Sequence, residues 1–121
     1  MVQKLDIHGI HTEVSDKLKQ YITSKINHLE KYVPTKSRES LHVEVFIEED
    51  KNRSTEQMMC EVIFHLPKQV ISAKEGTLNF YSAMDMTEEK LKGSLTRYKQ
   101  LHDDGRKERH LINRAQLQSE V

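Results

Sequence analysis

The side chains that could support catalysis are few, and structural roles account for them. Cys60, the only cysteine, alternates with apolar residues in a predicted strand, which indicates a core position and not a nucleophile. Asp85, Glu88 and Glu89 lie near the start of a predicted helix, where the helix dipole favours acidic side chains. The sequence has no glycine-rich phosphate loop, no GxSxG elbow and no HExxH pattern. We therefore expect no enzyme.

Seven histidines are spread along the chain, and one pair has a spacing that could ligate a metal ion. His8 and His11 flank the end of a predicted strand, but no cysteine or other third ligand is evident nearby. Surface histidines are favoured over a zinc site, so no metal and no other cofactor is expected. His42 and His65 are expected to form a cross-strand pair on the open face of a sheet.

The charged residues balance in number but are unevenly distributed. Nineteen basic and nineteen acidic residues give no net charge, so the total charge does not favour nucleic acid. A stretch without any acidic residue nevertheless runs from Lys90 to His102. The basic residues that would border a groove between two neighbouring helices include Lys25, Lys31, Lys90, Arg97 and Lys99. A solvated helix face explains the same pattern, so charge alone leaves RNA binding and a plain surface both open.

Hydrophobic periodicity predicts two helices. The first has Thr12 or Ser15 as its cap, carries an apolar stripe at spacings of three and four that ends near Tyr32, and is stopped by Pro34. The second begins at Phe80 after an Asn79 cap and contains Gly93, which should cost about 1 kcal/mol relative to alanine.

Period-two alternation predicts two strands, and two shorter or weaker β-like segments bring the number to four. They cover residues 2–8 (ended by Gly9), 41–47, 57–66 and 69–75 (closed by Gly76). The order β-α-β-β-β-α predicts an α+β fold, in which both helices lie side by side on the one apolar face of a four-stranded sheet. Residues 1–102 form the predicted domain, and residues 103–121 form a charged, flexible tail.

No apolar run approaches the ~20 residues that a membrane span requires. Lys4 and Asp6 interrupt the apolar stretch that a secretory signal would need, so a cytoplasmic location is expected.

Two segments resemble the ribosome hibernation-promoting factor family, which includes the ribosome-associated inhibitor called protein Y. The string FYSAMDMTEEKLKGSLTRYK is similar to the last helix of that family, and IHGIHTEVSDKLKQYITSKINHLEKY is similar to its opening strand and first helix. The resemblance covers about residues 1–102 with the same order of elements. Gly93 and Ser94 stand where the family often has a basic or long polar pair. Long members carry a second, dimerising domain, which this chain, ending at Val121, is expected to lack.

The resemblance implies binding to the 30S subunit and the 70S ribosome, over the decoding region and the tRNA sites. It implies phosphate contacts to 16S rRNA, no membrane or small-molecule substrate, and a monomer off the ribosome. The implied RNA-binding residues are Lys25, Lys31, Lys90, Lys92, Arg97 and Lys99. An alternative is a protein-binding regulatory module that uses the same basic helices, because members of the family have also been labelled sigma-54 modulators.

Overall fold

A computed structural model describes residues 2–50 and 57–102, and it confirms the predicted α+β order. Two short 3-10 turns, Glu30–Tyr32 and Thr35–Ser37, follow the first helix. The predicted tail, residues 103–121, lies outside the described residues. The elements are β1 (Lys4–Ile10), α1 (Asp16–Leu29), β2 (His42–Asp50), β3 (Gln57–His65), β4 (Val70–Thr77) and α2 (Phe80–His102).

The strands form one mixed sheet in the order β1-β2-β3-β4. β1 and β2 are parallel, whereas β2 with β3 and β3 with β4 are antiparallel. A parallel pair needs a long connection, and α1 supplies it. β1 and β4 are therefore the two edges of the sheet.

The hydrophobic core lies between one face of the sheet and the two helices. Alternate residues of the central strands point to this face, and Val43, Val45, Val62 and Phe64 are completely buried. The helices complete the core through residues at spacings of three and four, as the sequence predicted. These are Leu18, Ile22, Ile26 and Leu29 of α1 and Met84, Leu91, Leu95 and Tyr98 of α2.

The opposite face of the sheet is open and carries histidines paired with carboxylates. His42 and His65 are directly opposite each other with ring centroids 5.3 Å apart, which confirms the predicted cross-strand pair. His42 Nε2 lies 2.8 Å from an Asp6 carboxylate oxygen, and His65 Nε2 lies 2.8 Å from Glu44. Within residues 2–50 and 57–102, no group of three or more histidine, cysteine or acidic side chains is arranged to hold a metal ion.

α1 is capped by Ser15, one of the two caps that the sequence allowed. The Ser15 hydroxyl oxygen accepts a hydrogen bond from the Leu18 N–H at 3.1 Å. α1 ends at Leu29, and the chain continues as a 3-10 turn before Pro34. The helix is therefore slightly shorter than its apolar stripe suggested.

The prediction that two glycines end their strands was wrong. β1 continues through Gly9 to Ile10, and β4 continues through Gly76 to Thr77. The chain folds back just after β1, where His11 has a φ of 59°. A Cβ at Gly9 would overlap the Thr12 carbonyl oxygen, so this glycine permits a close approach of the backbone.

α2 begins as predicted, because the Asn79 side-chain oxygen accepts a hydrogen bond from the Ser82 N–H at 2.8 Å. The helix runs for 23 residues, to His102. None of the helices in the described parts of the chain is long and apolar enough to cross a membrane.

Replacement of Gly93 by alanine is expected to raise the free energy of unfolding by about 1 kcal/mol, because glycine weakens a helix interior by that amount. A Cβ at this exposed position would meet nothing within 4 Å. Urea unfolding followed by circular dichroism measures the change. A loss of stability in Gly93→Ala would contradict the open surroundings of this residue.

Cys60 lies in the core, as its alternation with apolar residues predicted. The residue is completely buried, and its sulfur lies 3.5 Å from the Met84 sulfur. Burial raises the pKa of the Cys60 thiol to about 12, so the nucleophilic thiolate is not formed at neutral pH.

Candidate nucleic-acid interface

The two helices lie side by side and run in the same direction. Near their first turns, the Tyr21 hydroxyl donates a hydrogen bond to Asp85 at 2.5 Å, and the Tyr21 ring meets Tyr81 edge to face. Near their ends, the Lys99 ammonium donates to the Lys31 carbonyl oxygen at 3.3 Å. The two helices therefore contact each other from their first turns to their ends, as the sequence reasoning required, and the groove is the surface along this line of contact.

The first half of this groove contains a network of ion pairs. Lys25 Nζ lies 3.3 Å from Glu88 and 3.4 Å from Asp85, and His28 Nδ1 lies 3.4 Å from the other Glu88 oxygen. The Glu88 side chain is only 7 % exposed, so its charge must be matched by these neighbours. Burial lowers the pKa of Lys25, but hydrogen bonds and opposite charge from Glu88 and Asp85 outweigh that effect and raise it above the usual value.

The helix dipole was the explanation predicted for the acidic residues near the start of α2, and this explanation was wrong. Asp85 and Glu88 lie beyond the first turn of α2, which contains no acidic residue, so the helix dipole does not explain them. They bind side chains of α1 instead. The sequence showed the i, i+3 spacing of the two carboxylates, but it could not show that α1 faces this side of α2.

The second half of the groove is basic. Lys31 extends over the Tyr32 ring, 5.4 Å from its centroid, and Lys99 reaches the Lys31 carbonyl. Arg38 also donates to the Lys31 and Val33 carbonyl oxygens, a position that the sequence reasoning missed. These cations gather where both helices end, which is the end at which the helix dipole favours positive charge.

Lys92 lines the first half of the groove, together with Lys25 and Glu88. Its ammonium lies 3.4 Å from Glu89 on the same helix, and the Glu89 side chain is 73 % exposed. A surface ion pair of this kind contributes little free energy, so Lys92 can exchange it for a phosphate.

Lys90 and Arg97 do not border the groove between the helices, contrary to the expectation. Lys90 forms an ion pair with Glu75 of β4, and Arg97 lies beside Val70 and Ser72 of the same strand. Both point to the opposite side of α2 because they are about half a turn away from Lys92 and Lys99 around the helix. The six candidate cations thus flank α2 on both sides.

The candidate cations differ in whether a carboxylate already binds them. Lys25, Lys90 and Lys92 are paired with acidic side chains. Across residues 2–50 and 57–102, no ion pair with a carboxylate is formed by Lys31, Arg97 or Lys99. These three side chains are available for an external anion, and their fixed spacing on two packed helices suits a phosphate backbone.

The sequence matches the model of a known family. A model of the family described as "Sigma 54 modulation protein / S30EA ribosomal protein" matches residues 5–102, which include all six candidate cations. The chain belongs to this family. The resemblance seen in the two helix segments is thereby confirmed.

Several relatives in this family are named ribosome hibernation promotion factor. Those from Lactococcus lactis, Staphylococcus aureus and Picosynechococcus are 27 %, 28 % and 29 % identical to this chain, over 79 %, 79 % and 80 % of its length. The matched segments cover 49 %, 48 % and 49 % of those proteins. The chain therefore spans about half the length of these curated relatives.

Two solved structures share the fold. The protein Y N-terminal domain of Thermus thermophilus superposes with a TM-score of 0.67 at 18 % identity, covering 79 % of this chain and 99 % of that one. A ribosomal subunit interface protein from Coxiella burnetii gives a TM-score of 0.65 at 19 % identity, covering 80 % and 98 % of the two chains.

Proposed function

We propose that this protein is a ribosome hibernation factor that binds the small subunit and inhibits translation in stress or stationary phase. The observation that carries the proposal is the family match over residues 5–102, together with the names of the relatives. The binding surface is the basic side of the two helices, which would face 16S rRNA in the decoding region and the tRNA sites.

The chemistry of the surface supports recognition of the RNA backbone. Lys31, Arg97 and Lys99 are not neutralised by carboxylates and would make the first phosphate contacts. Lys92 would make a further phosphate contact once its ion pair with the exposed Glu89 is broken. Lys25 and Lys90 are held by Glu88 and Glu75, so phosphates compete there with the protein's own carboxylates. A rigid array of cations reads the shape of folded RNA and needs no base-specific contact.

The proposed mechanism is steric. A protein seated over the decoding region excludes mRNA and tRNA, and the ribosome stays intact but idle. No bond is made or broken and no cofactor takes part. The protein would act in the cytoplasm and would be a monomer when it is off the ribosome.

Competition with tRNA tests this proposal. Labelled tRNA is bound to the P site of programmed 30S subunits, and the purified protein is added in increasing amounts. We expect the protein to displace the tRNA and, over the same concentration range, to stop peptide synthesis in a reconstituted system. Full retention of tRNA on subunits saturated with the protein would overturn the steric mechanism.

The family description also names sigma 54 modulation, which corresponds to the second hypothesis, a protein-binding regulatory module. The two functions differ in their response to salt. Phosphate binding weakens steeply with added salt because counterions are displaced from the RNA. Binding of a protein partner depends more on apolar contacts and less on salt.

Glu88→Gln is expected to strengthen RNA binding. The change removes a negative charge from the groove and frees Lys25 from one of its two carboxylate partners. Affinity for 30S subunits at low salt should rise about three- to tenfold, and the gain should shrink as salt is added. Glu61→Gln, on the open face of the sheet, is the matched control with the same change in net charge. Equal affinities of Glu88→Gln and the wild-type protein would show that Lys25 makes no phosphate contact.

A further inference from the structure

Within residues 2–50 and 57–102, β4 is an edge strand, and no other strand pairs with the backbone groups on its outer side. Leu66 and Gln69 exchange both backbone hydrogen bonds across the turn between β3 and β4. In an antiparallel pair, hydrogen-bonded and non-hydrogen-bonded positions alternate along the strand. The register from His65↔Val70 onward therefore directs the N–H and C=O groups of Val70 and Ser72 away from β3.

A groove runs along this part of the edge, between β4 and the second half of α2. Its volume is about 370 Å³, and Ser94, Arg97 and Leu101 form its helix side. Val70 is 58 % exposed and Leu101 is 70 % exposed, although both are large apolar side chains. Ser94, beside Gly93, is small and leaves room for an extended backbone at its position, whereas the longer Arg97 and Leu101 side chains border the rest of the groove.

The two ends of β4 differ in charge. At the far end of β4, towards Thr77, Lys74 and Glu75 lie on the strand and Glu75 forms an ion pair with Lys90. Charged side chains of this kind usually protect an edge strand from pairing with another strand. At the near end of β4, which begins at Val70, the groove joins a second groove. The second groove is lined by Lys36, Lys68 and Leu101. Among the described residues that line these two grooves, none is acidic, and Arg97 has no carboxylate partner. Among the described residues, the near end is thus uncovered, apolar and positively charged.

We propose that the near end of β4 binds a short acidic segment of a partner protein, which adds to the sheet as a fifth strand. The outward groups of Val70 and Ser72 would form the backbone hydrogen bonds of this strand. Side chains of the segment that point to the helix would be acidic and would bind Arg97. Those on the other face would be β-branched and would pack on Val70. The proposal does not rest on the ribosomal function, because it requires protein main chain and not phosphate, although both would use Arg97.

A peptide of alternating glutamate and valine, six residues long and blocked at both ends, is the probe. Titration into the isotopically labelled full chain, followed by NMR, should shift the amide signals of Val70 and Ser72 and protect both amides from hydrogen exchange. A peptide with lysine in place of glutamate, and one with N-methylated valines, should each bind at least about tenfold more weakly. Equal binding of the N-methylated peptide would overturn strand addition.

Variants test the charged part of the site. Arg97→Glu should weaken binding of the glutamate peptide about tenfold, whereas Lys4→Glu, on the opposite edge strand, should leave it unchanged. Equal weakening in both variants would show that the peptide responds only to net charge and would contradict the proposal. If a short oligouridylate protects the Val70 and Ser72 amides as strongly as the peptide does, the edge is part of an RNA surface and the proposal fails.

Discussion

Leu91→Ala is expected to lower the free energy of unfolding by about 2–5 kcal/mol, which is the range for large-to-small replacements in a core. Leu91 is completely buried, in the middle of the apolar stripe of α2. Since single domains have only about 5–15 kcal/mol of stability, this one change would remove a large part of it. Chemical unfolding followed by circular dichroism measures the loss.

Met86→Ala is the matched control for this prediction. Met86 is on the same helix but is 45 % exposed, so its replacement should change the free energy of unfolding by less than about 0.5 kcal/mol. A similar small effect for Leu91→Ala would mean that α2 does not bury this stripe against the sheet, and the described fold would be wrong.

The double variant Lys31→Glu/Lys99→Glu is expected to weaken binding to 30S subunits about a hundredfold at low salt. Both side chains lie at the basic end of the groove, where the Lys99 ammonium donates a hydrogen bond to the Lys31 backbone carbonyl oxygen at 3.3 Å. Loss of two phosphate contacts should also reduce the slope of log affinity against log salt by about 1.4–1.8. Titration of labelled protein with 30S subunits over a series of salt concentrations gives both quantities.

Lys4→Glu/Lys74→Glu controls for the change in net charge. Both lysines are exposed on the open face of the sheet, on the side away from the helices. This variant should retain nearly the wild-type affinity and salt dependence. If the two double variants lose affinity equally, binding follows net charge and the helix surface is not the site.

Local patterns were sufficient to predict most of the fold. The apolar stripe of α1, the alternation in β2 and β3, and the Asn79 cap each depend on neighbouring residues, and all three were confirmed. The ends of β1 and β4 were not predicted correctly, because Gly9 and Gly76 lie inside strands. At Gly9 the reason is the nearby Thr12 carbonyl, a contact that comes from how the chain folds back after the strand.

The candidate site was less predictable, because it depends on which helix face meets which neighbour. The sequence identified the cations but did not show that Lys90 faces Glu75 or that Lys25 is bound by Glu88. Both contacts join residues far apart in sequence. Helical spacing shows which residues share a face, but it does not show which face of α2 lies against α1 and which against β4.

Co-sedimentation with ribosomal particles tests the central claim most directly. The full chain is mixed with 30S subunits, 50S subunits or 70S ribosomes and centrifuged through sucrose gradients at low and at raised salt. We expect the protein to migrate with 30S subunits and 70S ribosomes at low salt, to be absent from the 50S fractions, and to dissociate as salt is raised. Recovery of all the protein at the top of the gradient at both salt concentrations would contradict ribosome binding.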